Sequence, residues 1–209
     1  MITLALDTST NRGSVTVLDD GRILLDEIFT ADRSHTSALF PILEKARALA
    51  PRVDVIAIGL GPGSYAGVRI AIAAALGMSM SNGAQLVGIA SVAALETDAP
   101  RYIAIGDARR ETFYFTRVEN GACIEGPLLL AEDALRARLA ELESWPVLSP
   151  EVLALFPQVK VALPLSLTLA RLAAEGRGII ASENLEPLYL REPHITLPRL
   201  VPRHSSEQP

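Results

Sequence analysis

The sequence has few of the residues that build disulfide frameworks or the commonest metal sites. Cys123 is the single cysteine among 209 residues, so disulfides within the chain and zinc sites made of cysteines are excluded. The three histidines, at positions 35, 194 and 204, lack the spacing of a metal-binding pair on a helix. No serine lies within a Gly-x-Ser-x-Gly nucleophile turn. Zinc, serine and cysteine hydrolases are therefore poorly supported, and we expect a reducing, cytoplasmic compartment.

Long apolar runs and clusters of positive charge are also missing. The longest strictly apolar run covers 70–78, whereas a membrane span needs about 20 residues, so we expect no membrane contact. Residues 1–7 contain an aspartate and no basic residue, and we expect no signal peptide. The formal net charge is −5, and the arginines are scattered among acidic residues. Binding of nucleic acid by the isolated chain is therefore not expected, although a site shared with a partner stays open.

What the sequence does contain is a globular composition, with 49% apolar and 21% charged residues, and an internal repeat. In each copy a strand-end aspartate, Asp7 or Asp107, stands 14 positions before the glycine of a predicted hairpin turn, Asp-Gly at 20–21 or Asn-Gly at 120–121. Chance similarity is the alternative, because hairpins are common, but order and spacing both favour two copies. Each copy consists of three strand-like runs followed by a helix. In the first copy the runs are 2–6, 14–18 and 23–29 and the helix is 35–49. In the second copy the runs are 102–107, 112–118 and 122–130 and the helix is 131–143.

Beyond these units, the first copy has elements that the second has only in part. The first continues with a strand at 53–60, a glycine turn at 61–67, a helix at 66–81 and a strand at 85–90. The second has weak strands near 145–149 and 159–163, a helix at 165–175, and no matching glycine turn. We predict an α/β fold of two lobes, residues 1–98 and a reduced lobe of residues 99–191, followed by an extended or disordered tail at 192–209.

The sequence Gly-Pro-Gly-Ser-Tyr-Ala-Gly at 61–67 joins a strand to a helix, a position where proteins often bind phosphate. It is not a Walker A loop, because no Gly-Lys-Ser/Thr follows. Gly61, Gly63 and Ala66 fit a relaxed dinucleotide pattern, but the next strand ends without the acid that this pattern requires. Backbone N–H groups and the Ser64 hydroxyl could still bind an anion. A tight turn that binds nothing is an equally good interpretation.

Two strand ends carry polar side chains that suit a phosphate or a metal ion. Asp7 is followed by three hydroxyl residues at 8–10, which could hold Mg²⁺ through water and contact phosphate. A polar turn that bonds its own backbone is the alternative. Asp107 occupies the corresponding place in the second copy, and Arg109 beside it could pair with a carboxylate or a phosphate. Because both aspartates end strands of a duplicated fold, we expect them to face one cleft.

The helix at 66–81 is apolar on all sides, unlike a helix with one face in water. Burial inside its own lobe is the commoner explanation, and a subunit interface is the other. Together with helix 35–49, it forms the surface that we expect to contact a partner. The residues predicted for this interface are His35, Leu39, Leu43, Arg69, Ile72 and Leu76.

Five motifs occur in order over nearly the whole chain, to about Arg191. They are Leu-Ala-Leu-Asp-Thr-Ser-Thr at 4–10, Ser-His-Thr at 34–36, Gly-Pro-Gly-Ser-Tyr-Ala-Gly-Val-Arg-Ile at 61–70, Asp-Ala-Arg at 107–109 and Glu-Pro-Leu-Tyr-Leu-Arg at 186–191. In this combination they resemble the TsaB family, formerly YeaZ, which older naming calls glycoprotease-like or peptidase-like. The resemblance implies the fold of the actin, sugar-kinase and Hsp70 superfamily, with two ribonuclease-H-like lobes.

The resemblance also implies a role in bacterial tRNA modification, in which a threonylcarbamoyl group is attached to the adenosine next to the anticodon. Proteins of this family are thought not to catalyse the transfer. They pair with a larger TsaD-like paralogue that binds the metal and transfers the group, and a TsaE-like ATPase joins them. We therefore expect a non-catalytic scaffold subunit without a cofactor or metal of its own, which forms a homodimer when alone and meets tRNA only through the complex.

One departure from the superfamily pattern bears on nucleotide binding. Its first phosphate loop carries Asp-x-Gly-Thr, whereas this chain has a serine, Ser9, in place of the glycine. The Ser9 side chain would crowd an approaching phosphate, so we expect ATP or ADP with Mg²⁺ only in the assembled complex. The residues predicted for a vestigial or shared nucleotide site are Asp7, Thr8, Ser9, Gly61, Gly63, Ser64, Asp107 and Arg109.

The competing interpretation is an autonomous ATP-dependent small-molecule kinase or ATPase of the same fold, with Asp7 and Asp107 around a Mg²⁺–nucleotide complex. Turnover by the isolated chain that is abolished by Asp7→Ala would distinguish this enzyme from a scaffold. A protease is the third interpretation, and the missing histidine pair argues against it.

Overall fold

The computed structural model describes residues 1–31, 35–181 and 185–191, and it contains two sheets built by the same succession of elements. The first lobe comprises β1 (Ile2–Asp7), β2 (Arg12–Asp19), β3 (Arg22–Thr30), α1 (His35–Leu49), β4 (Val55–Gly59), α2 (Tyr65–Asn82) and β5 (Gln85–Ile89). A 3₁₀ helix at Ser91–Ala94 leads to the second lobe, which comprises β6 (Arg101–Asp107), β7 (Thr112–Glu119), β8 (Ala122–Ala131), α3 (Glu132–Ala140), β9 (Val147–Ser149) and β10 (Lys160–Val161). The chain then forms α4 (Ser166–Ala174) and β11 (Ile179–Ala181).

The two lobes contain matching hairpin turns between their second and third strands. Asp20 and Gly21 join β2 to β3 with φ values of 44° and 83°, and Asn120 and Gly121 join β7 to β8 with φ values of 49° and 72°. Positive φ at both central residues is the type I′ geometry, whose twist matches that of the flanking antiparallel strands. The hairpin turns predicted from Asp-Gly and Asn-Gly are therefore confirmed.

The strand order is also the same in both sheets. The first sheet runs β11-β5-β4-β1-β2-β3 and the second runs β10-β9-β6-β7-β8, so β6 to β10 repeat the positions of β1 to β5. In each sheet an antiparallel meander is followed by a helix and by strands parallel to the first one. This is the ribonuclease-H-like order, and it confirms the predicted duplication.

The second lobe is reduced, as expected. Residues 150–159, all of which are described, join β9 to β10 without an α-helix, so the second lobe has no counterpart of α2. β10 itself has two residues. The chain then returns to the first lobe, because α4 contacts β1, β2 and β4, and β11 pairs with β5. The division of the chain at residue 98 stays a prediction, and the tail predicted at 192–209 lies outside the described residues.

The core is organised by the alternation of side chains along the strands. Leu4 and Leu6 of β1 face α1 and α2, whereas Ala5 between them faces α4 and the 3₁₀ helix. Tyr102 and Tyr114 face the same inner layer from the second sheet. The two sheets therefore enclose α4, and α1 and α2 cover the outside of the first sheet. In the described ranges, no helix combines the length and the apolar character that crossing a bilayer requires.

Candidate functional site

A cleft of about 820 Å³ opens between the lobes, where the turns after β1 and β6 face each other. The carboxyl end of β4 and the start of α2 form a third side. The described lining residues are 9–11, 60, 62–65, 68, 107–109, 114, 150–151 and 187–191. Of the residues predicted for a nucleotide site, Ser9, Gly63, Ser64, Asp107 and Arg109 line this cleft, whereas Asp7, Thr8 and Gly61 do not.

The glycine turn lies directly against the turn that follows β1. A Cβ atom at Gly63 would lie 2.2 Å from the carbonyl oxygen of Ser9, and one at Gly67 would lie 2.0 Å from the carbonyl oxygen of Thr8. No side chain can be accommodated at such distances without moving the backbone. Both glycines are therefore explained by contact within the chain, and neither requires a bound phosphate.

Hydrogen bonds fix this contact and the start of α2. The Ser64 N–H donates to the carbonyl oxygen of Ser9 at 2.6 Å, and the Thr8 hydroxyl donates to the carbonyl oxygen of Gly67 at 2.7 Å. The Ser64 hydroxyl caps α2 by accepting from the Gly67 N–H at 3.2 Å. The Ser64 N–H that could have bound an anion is thus already used inside the protein, whereas the Ser64 hydroxyl acts in this cap only as an acceptor.

Asp7 lies beneath the cleft and does not face it. The side chain is 1% exposed, and its Oδ1 accepts from the Ser9 N–H at 2.8 Å and from the Ser9 hydroxyl at 2.7 Å. Its Oδ2 has no hydrogen-bond partner among the described residues and points at the backbone of Gly59, where a Cβ atom would be 1.9 Å away. Burial raises the pKa of Asp7, and the bonds from Ser9 together with the nearby Ser91 hydroxyl oppose this only in part.

Asp107 does line the cleft, and its carboxylate is paired with Arg109. Its Oδ1 accepts from the Arg109 N–H at 2.7 Å, and its Oδ2 pairs with the Arg109 guanidinium at 3.1 Å. The Asp107 N–H donates to Glu151 at 2.9 Å. Arg109, Arg110 and Glu111 have φ values of 64°, 53° and 58°, an unusual left-handed run for residues with side chains. This turn presents the Asp107–Arg109 pair at the edge of the cleft.

Residues 185–191 cross the mouth of the cleft and connect the two lobes. The Leu188 N–H donates to the carbonyl oxygen of Leu60 at 2.8 Å in the first lobe. At the other end, the Arg191 guanidinium donates to the Thr112 hydroxyl at 2.5 Å in the second lobe. The motif Glu-Pro-Leu-Tyr-Leu-Arg therefore forms one wall of the cleft, a role that its sequence pattern did not indicate.

The residues of the cleft do not fit a Mg²⁺–nucleotide complex held by this chain alone. The Asp7 carboxylate is buried away from the cleft, and the Arg109 guanidinium is paired with Asp107. Within residues 1–31, 35–181 and 185–191, no three His, Cys, Asp or Glu side chains converge as metal ligands would. The nucleotide-site assignment stays a prediction, and the geometry gives no support for an autonomous kinase or ATPase.

Some of the residues that were predicted for a partner interface are buried in the core, and others lie at or near the surface. Leu39, Leu43 and Ile72 are 0%, 6% and 6% exposed and belong to the core between α1, α2 and the first sheet, so they are not available to a partner. Leu76 is half-buried and Arg69 is exposed. The His35 imidazole is half-buried, and its Nε2–H donates to the carbonyl oxygen of Thr10 at 2.8 Å.

Several cleft residues were not found by sequence reasoning. Tyr114 and Glu151 reach the cleft through the pairing of strands and loops of the second lobe, and no local motif marked them. Tyr65 and Tyr189 stand at its edge with ring centroids 5.6 Å apart, and the Arg69 guanidinium donates to the Tyr65 hydroxyl at 2.6 Å. Both tyrosines lie within motifs that carry the family resemblance, at 61–70 and 186–191, but these motifs gave the tyrosines no role.

Comparison with known proteins gives one consistent group of relatives. The model of the family described as TsaD, tRNA N6-adenosine threonylcarbamoyltransferase, matches residues 29–142, more than half of the chain. The Escherichia coli K12 protein named tRNA threonylcarbamoyladenosine biosynthesis protein TsaB is 28% identical, over 90% of this chain and 94% of that protein. The chain belongs to the TsaB/YeaZ family.

Solved structures agree with this TsaB/YeaZ assignment. A Pseudomonas aeruginosa protein described as similar to peptidase YEAZ superposes with a TM-score of 0.73 and 29% identity, over 91% of this chain and 99% of that one. YeaZ from Pseudomonas aeruginosa gives a TM-score of 0.71 and 27% identity, over 86% and 96%. The predicted family and the predicted fold class, two ribonuclease-H-like lobes with the second reduced, are therefore confirmed.

Proposed function

We propose that this TsaB-family chain is a non-catalytic subunit of the machinery that makes threonylcarbamoyladenosine in tRNA, and that it acts in the cytoplasm. It binds a TsaD-like catalytic paralogue through the outer face of α2. Support comes from the relatives in tRNA threonylcarbamoyladenosine biosynthesis and from the match to the TsaD family model. The incomplete nucleotide site is what a supporting subunit would have.

The outer face of α2 is the observation that carries this proposal. The exposed residues of α2 are Tyr65, Ala66, Arg69, Ala73, Gly77, Met80 and Ser81. Those from Ala66 to Met80 recur every three or four residues along one side of the helix. Arg69 is the one charged residue of α2, and the Met80 side chain is 89% exposed. A helix face in water normally carries several charges, so this composition is typical of a surface that another protein covers.

Gly77 gives a second reason to expect a close neighbour on this face. It lies inside α2, where glycine is less favourable than alanine by about 1 kcal/mol. No described atom would lie within 4 Å of a Cβ at this position, so the chain itself does not require glycine there. A partner helix that approaches the backbone of α2 would require it.

The remaining roles follow from this assembly. A TsaE-like ATPase joins the pair, and tRNA is bound by the complex and not by the isolated, acidic chain. ATP or ADP with Mg²⁺ belongs to the assembled complex, since the cleft of this chain does not fit it. In the absence of the paralogue, the same face of α2 pairs with a second copy of the chain.

The binding experiment uses this chain and the TsaD-like protein of the same organism. The mass of the mixture is measured by size-exclusion chromatography with light scattering, with and without nucleotide. Ala73→Glu places a charge on the outer face of α2, and Ala137→Glu makes the same change at an exposed position of α3. Ile72→Glu is unsuitable, because Ile72 is buried and the charge would destabilise the fold.

We expect a heterodimer with the wild-type chain and with Ala137→Glu, and its loss with Ala73→Glu. Circular dichroism checks that both variants keep the native helix content. If the wild-type proteins do not associate under any of these conditions, the subunit proposal is wrong. If both variants associate like the wild type, α2 is not the docking surface.

A further inference from the structure

The Tyr114 hydroxyl at the floor of the cleft has no hydrogen-bond partner in the part of the chain that the structure describes. Tyr114 is 3% exposed and is one of the residues that line the cleft. It lies on β7 opposite Gly106 of β6, and a Cβ at Gly106 would be 2.5 Å from the hydroxyl oxygen. The hydroxyl is therefore held above the backbone of Gly106, one residue before Asp107.

A second tyrosine of the same sheet shows the ordinary arrangement. Tyr102 on β6 is also 3% exposed, and its hydroxyl donates to the carbonyl oxygen of Val92 at 2.7 Å. A buried hydroxyl without a partner destabilises a fold, whereas phenylalanine in the same place would not. Proteins keep such groups mainly where they serve function. The Tyr114 hydroxyl, unlike the equally unpartnered hydroxyl of Thr116, belongs to a residue that lines the cleft, where a ligand could supply the missing partner.

The charged side chains of the cleft do not favour a polyanionic ligand. Arg109 and Arg191 are the cations among its described lining residues. Arg109 pairs with Asp107, whereas Arg191 donates to the neutral Thr112 hydroxyl and its Nε has no hydrogen-bond partner among the described residues. The carboxylates of Asp107 and Glu151 balance the two arginines in number, so a polyphosphate would find no excess of positive charge. An uncharged ligand does not need such an excess.

The rest of the lining suits a flat, partly apolar molecule. Leu60, Val68 and Leu188 contribute apolar surface, and the Tyr65 and Tyr189 rings stand at the edge, 54% and 42% exposed. Aromatic side chains of this kind can stack on a planar ring. The volume of about 820 Å³ is within the usual range for small-molecule sites.

We propose that the cleft binds an uncharged, ring-bearing ligand of nucleoside size, and that the Tyr114 hydroxyl donates a hydrogen bond to an acceptor on that ligand. Burial, and to a lesser extent the Glu151 carboxylate, raise the pKa of Tyr114, so the hydroxyl keeps its proton. Tyr114 is 3% exposed, so this contact requires side chains at the cleft floor to move. This inference does not depend on the proposed docking of α2.

The test compares three variants of the full chain. Tyr114→Phe removes the unpartnered hydroxyl and keeps the ring. Tyr102→Phe removes a hydroxyl that is bonded, and Thr116→Val removes the unpartnered hydroxyl of Thr116, which is buried but does not line the cleft. The probes are adenosine, guanosine, cytidine, uridine and Mg²⁺–ATP. Thermal unfolding measures stability, and calorimetry measures affinity.

We expect Tyr114→Phe and Thr116→Val to unfold at a higher temperature than the wild type, and Tyr102→Phe at a lower one. At least one nucleoside should bind the wild type and Thr116→Val more tightly than Mg²⁺–ATP does. Its affinity should fall at least about tenfold in Tyr114→Phe, as expected for a lost hydrogen bond. The proposal is overturned if no nucleoside binds, if Mg²⁺–ATP binds more tightly, or if Tyr114→Phe binds like the wild type.

Discussion

The glycines at the start of α2 and in its middle have opposite structural roles, and matched substitutions to alanine should reveal them. At Gly67, a methyl group would lie 2.0 Å from the carbonyl oxygen of Thr8. Relieving such an overlap in a packed region costs about 1–3 kcal/mol. The hydrogen bond from the Thr8 hydroxyl to the Gly67 carbonyl oxygen would also be lost, at about 1 kcal/mol. The better helix propensity of alanine returns about 1 kcal/mol.

We therefore expect Gly67→Ala to lower the free energy of unfolding by about 1–3 kcal/mol. Gly77→Ala lies in the same helix but in open space, so it should raise that free energy by about 1 kcal/mol. Urea unfolding followed by circular dichroism measures both changes. With a denaturant slope of about 2 kcal/mol per molar, the two midpoints should differ by roughly 1–2 M. Equal midpoints, or a more stable Gly67→Ala, would refute the contact between the glycine turn and residues 8–9.

Three further predictions concern stability and its dependence on pH, all measured by urea unfolding. Ser64→Ala should lower the free energy of unfolding by about 1 kcal/mol, because α2 loses its N-terminal cap; no change would contradict the capping bond. Because burial raises the pKa of Asp7 in the folded chain, the folded state holds its proton more tightly, and Asp7 lowers stability as pH rises above 3.8. Asp7→Asn should gain stability relative to the wild type between pH 4 and pH 8, and a constant difference over that range would count against this reasoning. Bonds from Arg138 and Arg117 lower the pKa of Glu125, so the stability that Glu125 contributes is present above pH 4.5 and is lost as pH falls. Glu125→Gln should therefore make the free energy of unfolding less sensitive to acid. An unchanged dependence on pH would show that other groups cause this sensitivity.

Local patterns predicted the regular elements of this fold well. The hairpin turns followed from Asp-Gly and Asn-Gly, since glycine supplies the positive φ that type I′ turns require. The bounds of α1 were predicted as His35 to Leu49, where apolar residues recur at helical spacing, and the structure has the same bounds. The succession of three strands and a helix in the second lobe followed from the repeat. These features depend on short stretches of sequence, so periodicity is enough to predict them.

Features that depend on distant contacts could not be predicted in this way. β11 joins the first sheet although it follows the whole second lobe, and nothing in its three residues indicates that partner. The apolar pattern of α2 did not show which residues face inward, so Ile72 was expected at an interface and lies in the core. Asp7 ends its strand as expected, but its contact with Gly59 turns the carboxylate away from the cleft.

The cleft itself was only partly accessible from the sequence. Asp7 and Asp107 were both expected to face the cleft, because equivalent strands of a duplicated fold end at one junction. Asp107 lines the cleft, whereas the turn after β1 reaches it through Ser9 and Asp7 does not line it. The contribution of residues 187–191 was not expected, since it requires the chain to cross from one lobe to the other. The Tyr114 hydroxyl could not be recognised either, because a missing hydrogen-bond partner is visible only in three dimensions.

The central claim, that this chain supports tRNA modification without catalysing it, is tested most directly by the nucleosides of tRNA. The chain is depleted in its own organism, and threonylcarbamoyladenosine is measured by mass spectrometry of digested tRNA. We expect the modification to disappear and to return with the wild-type chain, with Ala137→Glu and with Asp7→Asn, but not with Ala73→Glu. Unchanged threonylcarbamoyladenosine after depletion would contradict the account.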